Sequence, residues 1–95
     1  MKSFAVMSVA LLGLANATNI KICKNQSQGN CVTLNVVGCT NFPGSMNDQV
    51  SSVNTGNTEC VFFENGSCTG GSWTTRGQQN TVPPEWNDRF SSVRC

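Results

Sequence analysis

The chain of 95 residues contains no histidine and no tyrosine, and only 12% of its residues are charged. Without histidine, a Ser-His or Cys-His nucleophile is excluded. A net charge of +1 provides no basic patch for nucleic acid or for an anionic membrane surface. A glycosidase needs two convergent carboxylates, and Glu59, Glu64 and Glu85 are isolated residues that are typical of a solvated surface. We therefore expect a non-enzymatic protein that binds no nucleic acid.

Long apolar segments are absent as well, except for one short run near the N-terminus. Residues 4–14 are mostly apolar, follow Lys2 and precede Ala15-Asn16-Ala17. This order is typical of a signal peptide, and the run is too short for the roughly 20 residues that span a bilayer. We expect residues 1–17 to be removed before Thr18, which leaves residues 18–95 as one secreted domain without membrane insertion. Without Lys2, five Lys and Arg balance five Asp and Glu.

All six cysteines lie after the predicted signal peptide, at Cys23, Cys31, Cys39, Cys60, Cys68 and Cys95. An even number in a short secreted chain indicates disulfides, because so small a domain buries too little apolar surface to fold without staples. A zinc site is the competing interpretation, but the chain has neither a CxxC pair nor a histidine. Their number and spacing leave the fifteen connectivities of six cysteines open.

Two similar strand–hairpin–strand patterns are present. Residues 19–24 and 31–37 contain β-branched runs bridged by the polar stretch NQSQGN, and residues 59–64 and 71–75 flank NGSCTG in the same way. No segment has a helical period. The sequence therefore predicts an all-β domain.

The second half of the chain repeats the first. Residues 47–53, NDQVSSV, recur forty positions later at 87–93 as NDRFSSV. Upstream, Ile22 lies seven residues before Gly29 and Phe63 lies seven before Gly70, an offset of forty-one. We interpret this as a duplication, with motif one at about 19–55 and motif two at about 59–95. A unit of this size cannot bury its apolar face alone, so the two motifs should pack together.

An aromatic residue, six further residues and a glycine, followed by Asn/Asp-Asn/Asp-x-x-Ser/Thr-Ser, resembles the βγ-crystallin superfamily. NDQVSS and NDRFSS match the second element at every fixed position, and Phe63 to Gly70 matches the first, whereas Ile22 stands at the aromatic position of motif one. The resemblance, to a small secreted microbial or fungal member, implies an eight-stranded Greek-key sandwich of two sheets. It also implies that the first and fourth strands of a motif are neighbours, which favours a Cys60–Cys95 disulfide and leaves the other four cysteines unassigned.

The repeated element also offers oxygen ligands. Asn, Asp and Ser side chains and turn carbonyls are groups that calcium prefers. The resemblance implies two reciprocal sites with a carbonyl and a hydroxyl from one motif and a carboxylate from the other: Gln49, Ser51 and Asp88 in one, Arg89, Ser91 and Asp48 in the other. Asn47 and Asn87 would shape the loops. With one carboxylate each, two ions should bind weakly, at about 10⁻⁴ to 10⁻³ M. Alternatively, these side chains only bond their own backbone in turns.

Further features complete the expectations. The sequons at Asn25 and Asn65 predict N-glycosylation on equivalent surface turns, while Trp73 and Trp86 are expected to pack on the core. One alternative function is a secreted toxin, effector or inhibitor that binds an unidentified protein or cell-wall target through a contiguous apolar or charged patch at residues 77–85. Another is a structural extracellular module without calcium. We expect a monomer.

Overall fold

The computed structural model describes residues 17–95. The predicted signal peptide, apart from Ala17, lies outside the described residues. Residues 17–95 form six strands and one 3-10 turn: β1 (Thr18–Asn25), β2 (Gly29–Val36), β3 (Cys39–Asn41), β4 (Ser52–Asn65), the turn Gly66–Cys68, β5 (Thr69–Gln79) and β6 (Ser92–Arg94). Within residues 17–95, no helix has the length and apolar character needed to cross a membrane.

The central strand, β4, belongs to both motifs. The sheet order is β2-β1-β4-β6-β3, and β5 also pairs with β4. The first residues of β4 pair with β1 and its last residues pair with β6. The all-β prediction is confirmed, but eight strands and a division into two sheets are not. In residues 17–95 the hydrogen bonds define six strands in one curled sheet. The number is six and not eight because β4 and β5 are each one long, continuous strand in place of two shorter ones.

The two motifs share one apolar core. In β1, Ile20 and Ile22 point inward and are buried, while Lys21 between them is exposed, as the two-residue period of a strand requires. Phe90 is fully buried, and the rings of Trp73 and Trp86 both stack on it at centroid distances of 5.8 Å. The expectation that both tryptophans pack on the core is confirmed.

All six cysteines are in disulfides, as expected: Cys23–Cys31, Cys39–Cys68 and Cys60–Cys95. The first joins the strands of the β1–β2 hairpin. The second joins β3 of motif one to the 3-10 turn of motif two, and the third joins β4 to the end of the chain. Cys60–Cys95 is the pair that the resemblance implied.

The strand pairing corrects the alignment of the two motifs. Cys23 pairs with Ser52 and Phe63 pairs with Ser92, so Cys23, and not Ile22, is the counterpart of Phe63. The offset is therefore forty here too, and the offset of forty-one is wrong. A disulfide-bonded cysteine occupies the aromatic position of motif one.

The glycine of the first element is shifted in the same way. Asn30, with φ of 54°, is the counterpart of Gly70, with φ of 82°. Asparagine tolerates this left-handed conformation better than most residues do. Gly29 lies one residue before that position, and this neighbour accounts for the misalignment. At Gly70 a side chain is excluded for a second reason, since a Cβ atom would lie 2.5 Å from Nδ2 of Asn65.

Candidate functional site

The repeated sequence forms two loops, residues 47–51 and 87–91, which we call clamp loops one and two. Each contains the same turn: the Gln49 N–H donates to the Met46 carbonyl and the Arg89 N–H to the Trp86 carbonyl, both at 3.1 Å. The nearly identical sequences of the two loops therefore form the same hydrogen-bonded turn.

The two clamp loops bond to each other through their backbones. The Asp48 N–H donates to the Phe90 carbonyl at 2.9 Å, and the Asp88 N–H donates to the Val50 carbonyl at 3.1 Å. Both aspartates have left-handed backbones, with φ of 57° and 61°, a conformation that Asp adopts more readily than most residues. Each aspartate is thereby held against the loop of the other motif.

The side chains form crossed pairs. The Ser51 hydroxyl donates to Oδ1 of Asp88, and the Ser91 hydroxyl donates to Oδ1 of Asp48, both at 3.3 Å. The structure thus brings Ser51 together with Asp88 and Ser91 together with Asp48, the same combinations that the resemblance implied. Both carboxylates lie in exposed residues, so an ion from solvent can reach them.

The remaining implied ligands are two backbone carbonyls. Gln49 and Arg89 are exposed, and within residues 17–95 no N–H or O–H group donates to either carbonyl oxygen. The Arg89 guanidinium forms an ion pair with Oε1 of Glu64 at 3.1 Å and donates to the Glu85 carbonyl. The positive charge of Arg89, in clamp loop two, is therefore balanced by the carboxylate of Glu64.

The second serine of each motif has a structural role. The Ser92 hydroxyl donates to the Asn65 carbonyl at 2.6 Å and accepts from the Cys68 N–H at 2.9 Å. Ser52 makes the same two bonds in motif one, at 2.6 and 3.1 Å. Both serines are fully buried. They tie each early hairpin to the strand that follows a clamp loop.

The other predicted residues lie close to the clamp loops. Asn25 and Asn65, which begin the sequons, are exposed at equivalent hairpins. Asn47 is exposed, whereas Asn87 is half-buried, and its buried Oδ1 has no hydrogen-bond partner in the described part of the chain.

The donor set suits a hard cation. Each crossed pair provides one carboxylate and one hydroxyl, with a free backbone carbonyl in the loop that holds the hydroxyl. Calcium binds such oxygens, whereas zinc and copper favour nitrogen and sulfur. Among residues 17–95, no three His, Cys, Asp or Glu side chains converge to hold a metal. The arrangement therefore provides oxygen donors of the kind that calcium binds.

The segment 77–85, where a partner-binding patch would be expected in a toxin or inhibitor, exposes no large hydrophobic side chain. Its Val82 is 1% exposed, and the Val82 N–H donates to the Ser51 carbonyl. The exposed large hydrophobic residues of the described chain are Val32 and Val37, both in motif one.

No protein-family model and no curated protein matches this chain. Solved structures do. A βγ-crystallin domain from Flavobacterium johnsoniae is similar with a TM-score of 0.67 and 22% identity, over 79% of this chain and 90% of that one. The N-terminal domain of Protein S is similar with a TM-score of 0.64 and 22% identity, over 81% of this chain and 93% of that one. A βγ-crystallin from an archaeon is similar with a TM-score of 0.66 and 19% identity, over 83% of this chain and 98% of that one. The shared feature at these identities is the βγ-crystallin fold.

Proposed function

We propose that this chain, which has the βγ-crystallin fold, is a secreted, non-enzymatic protein that binds two calcium ions in its clamp loops. The observation that carries the proposal is the crossed pairing of Ser51 with Asp88 and of Ser91 with Asp48, at 3.3 Å each. The pairing supports the proposal because it places a hydroxyl of one motif beside a carboxylate of the other, as the reciprocal sites require.

In the proposed sites, Gln49, Ser51 and Asp88 would hold one ion, and Arg89, Ser91 and Asp48 would hold the other. A carbonyl from each early hairpin, near Gln26 or Gly66, is a further ligand that the resemblance implies. A bound ion would supply positive charge that offsets the carboxylate, and it would link the two motifs. Because each site has a single carboxylate, we expect dissociation constants of about 10⁻⁴ to 10⁻³ M.

Calcium should stabilise the fold because it binds the folded chain and not the unfolded one. At ten times the dissociation constant, each site adds about 1.4 kcal/mol to the free energy of unfolding. For a domain of this size, that corresponds to a rise in Tm of about 6–11 °C per site.

The experiment compares thermal melts in about 10 mM calcium, 10 mM magnesium and chelator. We expect a higher Tm in calcium and little change in magnesium, which requires stricter octahedral geometry. Asp48→Gly and Asp88→Gly should each lose about half of the shift. Glycine is preferred to alanine because both positions have positive φ. Glu59→Gln, which changes an exposed carboxylate outside the clamp loops, is the matched control. Equal melts with calcium and chelator would instead favour a structural module in which these residues shape turns.

Secretion and glycosylation belong to the same proposal. We expect secretion with cleavage before Thr18 and glycans at Asn25 and Asn65, and intact mass spectrometry of the protein released by a eukaryotic host tests all three. A mass that retains residues 1–17 would contradict the secretory part.

A further inference from the structure

The outer edge of β2 is unpaired. In residues 17–95, β2 pairs with β1 on one side and with no strand on the other. Its register with β1 is unbroken over consecutive pairs, from Thr18 with Val36 to Cys23 with Cys31. A regular edge of this kind presents a row of free backbone N–H and C=O groups, onto which another strand can pair.

The pairing of β1 with β2 determines which backbone groups point outward. Cys23 and Cys31 lie directly opposite each other, with their Cα atoms 3.9 Å apart. Such a short spacing is typical of a non-hydrogen-bonded pair, in which both residues direct their N–H and C=O groups away from each other. Accordingly, the Cys23 carbonyl accepts from the Ser51 N–H, beside β4. Because the orientation alternates along a strand, the backbone groups of Cys31, Thr33 and Asn35 face the open edge.

β2 lacks the features that protect the other one-sided strands of the described chain, β3 and β5. β3 is only three residues long. β5 carries Arg76, and its register with β4 shifts near Gly70 and Gly77, both of positive φ. Short strands, charged side chains and bulges are common means of preventing edge pairing. β2 has neither a charged residue nor a proline, and residues 25–47 contain no charged side chain at all.

The exposed large hydrophobic residues of the described chain lie at the same edge. Val32, in β2, is 36% exposed, and Val37, directly after the strand, is 49% exposed. Val32 and the half-buried Leu34 lie on the same face of β2, on either side of Thr33. A strand that pairs with β2 would therefore add apolar cross-strand contacts to the backbone hydrogen bonds.

We propose that this edge is a homodimer interface, in which the β2 strands of two copies pair antiparallel about a two-fold axis at Thr33. The outward groups of Cys31, Thr33 and Asn35 are arranged symmetrically about that axis. A second copy therefore meets each N–H with a C=O, and each pair of facing residues exchanges two hydrogen bonds. Val32 of one copy lies opposite Leu34 of the other.

Charge favours a second copy as the occupant. Residues 18–95 carry five basic and five acidic side chains, none of them in residues 25–47, so two copies meet without net repulsion. The exposed Lys21 lies opposite Thr33 in β1. In the dimer, the two Lys21 residues are three strand spacings apart, about 14 Å, which exceeds the Debye length of about 8 Å at physiological ionic strength.

The interface is small, because each copy contributes one strand edge. We therefore expect a weak dimer with a dissociation constant of about 10⁻⁴ M. Below that concentration the chain is the monomer expected from its sequence. The inference does not depend on calcium binding.

The test is analytical ultracentrifugation of the purified, oxidised protein in chelator, from about 10 µM to about 1 mM. We expect a reversible monomer–dimer equilibrium. Thr33→Lys places two like charges opposite each other at the axis and should weaken the dimer at least about threefold. Thr74→Lys is the matched control, because Thr74 is exposed on β5 and pairs with Val61 as Thr33 pairs with Lys21. It should associate like the unmodified protein.

Thr33→Pro removes the N–H at the axis. This group faces the open edge, where proline is tolerated, so the variant should fold, as circular dichroism would show, and lose the dimer. Hydrogen exchange at single-residue resolution locates the interface. The Thr33 and Asn35 amides should be protected at about 1 mM and unprotected at about 10 µM, whereas the Val32 amide, bonded to β1, should be protected at both.

A protein that stays monomeric at about 1 mM overturns the proposal, in favour of a strand from a different protein as the occupant. Equal association of Thr33→Lys and Thr74→Lys overturns it as well, because the contact would then lie elsewhere. Species that grow beyond the dimer would also contradict it, since pairing of β2 with a different edge of the next copy gives an open chain.

Discussion

The buried hydroxyl of Ser92 provides a direct test of how the motif holds the fold. Ser92→Ala removes the bonds to the Asn65 carbonyl at 2.6 Å and from the Cys68 N–H at 2.9 Å. A hydrogen bond contributes about 0.5–1.5 kcal/mol net, so the loss should be about 1–3 kcal/mol. For a domain of this length, a central value of about 2 kcal/mol lowers Tm by about 8–16 °C.

The same change in motif one should cost about as much free energy of unfolding. Ser52 makes equivalent bonds, but the side-chain amide of Gln28 also donates to the Val53 carbonyl at 3.0 Å and to the Gln79 carbonyl at 3.3 Å. These bonds hold the first hairpin independently of the serine. The second hairpin also has a tie that does not involve its serine, the Cys39–Cys68 disulfide. Ser52→Ala should therefore destabilise the domain by about as much as Ser92→Ala does.

The assay is urea unfolding in chelator, so that calcium linkage is removed from the comparison. Ser72→Ala is the control: Ser72 is exposed on β5, and its substitution should stay within about 0.5 kcal/mol. If Ser92→Ala were as stable as Ser72→Ala, the argument that the second serine holds each hairpin in place would be refuted.

Three further predictions concern the fold. Phe90→Ala should lower the free energy of unfolding by about 3–5 kcal/mol in the same assay, because it removes a fully buried ring; a loss below about 1 kcal/mol would contradict the packing. Gly70→Ala should cost about 1–3 kcal/mol, since its φ is positive and its Cβ would meet Asn65, whereas Gly44→Ala, with open space around it, should be nearly neutral; equal stabilities would refute this reasoning. Replacing both Cys39 and Cys68 by alanine opens a loop of 29 residues and should cost about 3.5 kcal/mol, and unchanged urea unfolding would show that this disulfide does not constrain the unfolded chain.

The hairpins and the repeat could be predicted because local chemistry determines them. The polar stretches at 25–30 and 65–70 separate β-branched runs, and the structure has hairpins at both. The clamp loops repeat nearly identical residues, which made the offset of forty visible there. Upstream the sequence predicts the wrong offset because Cys23 is not aromatic as Phe63 is, and because Asn30, not a glycine, adopts the left-handed conformation of Gly70.

Other features depend on contacts that a sequence does not display. The three-residue strands β3 and β6 are too short to show a period. They exist because β3 pairs with β6, and β6 pairs with β4. Cys39 meets Cys68 only when the two motifs pack together, whereas Cys23 and Cys31 face each other across a predicted hairpin, so their pairing could have been inferred.

The measurement that tests the central claim most directly is the number of calcium ions bound, by titration calorimetry, in two double variants. In the reciprocal arrangement Asp88 and Ser51 serve the same ion, whereas Asp88 and Ser91 serve different ions. The unmodified protein should bind two ions. Asp88→Gly with Ser51→Ala should keep one, and Asp88→Gly with Ser91→Ala should keep none.

Circular dichroism in chelator confirms that each variant is folded before the counts are compared. If each loop held its own ion, the two double variants would exchange their results, and the crossed geometry would be contradicted. If the folded, unmodified protein bound no calcium at millimolar concentrations, the proposed function itself would be wrong.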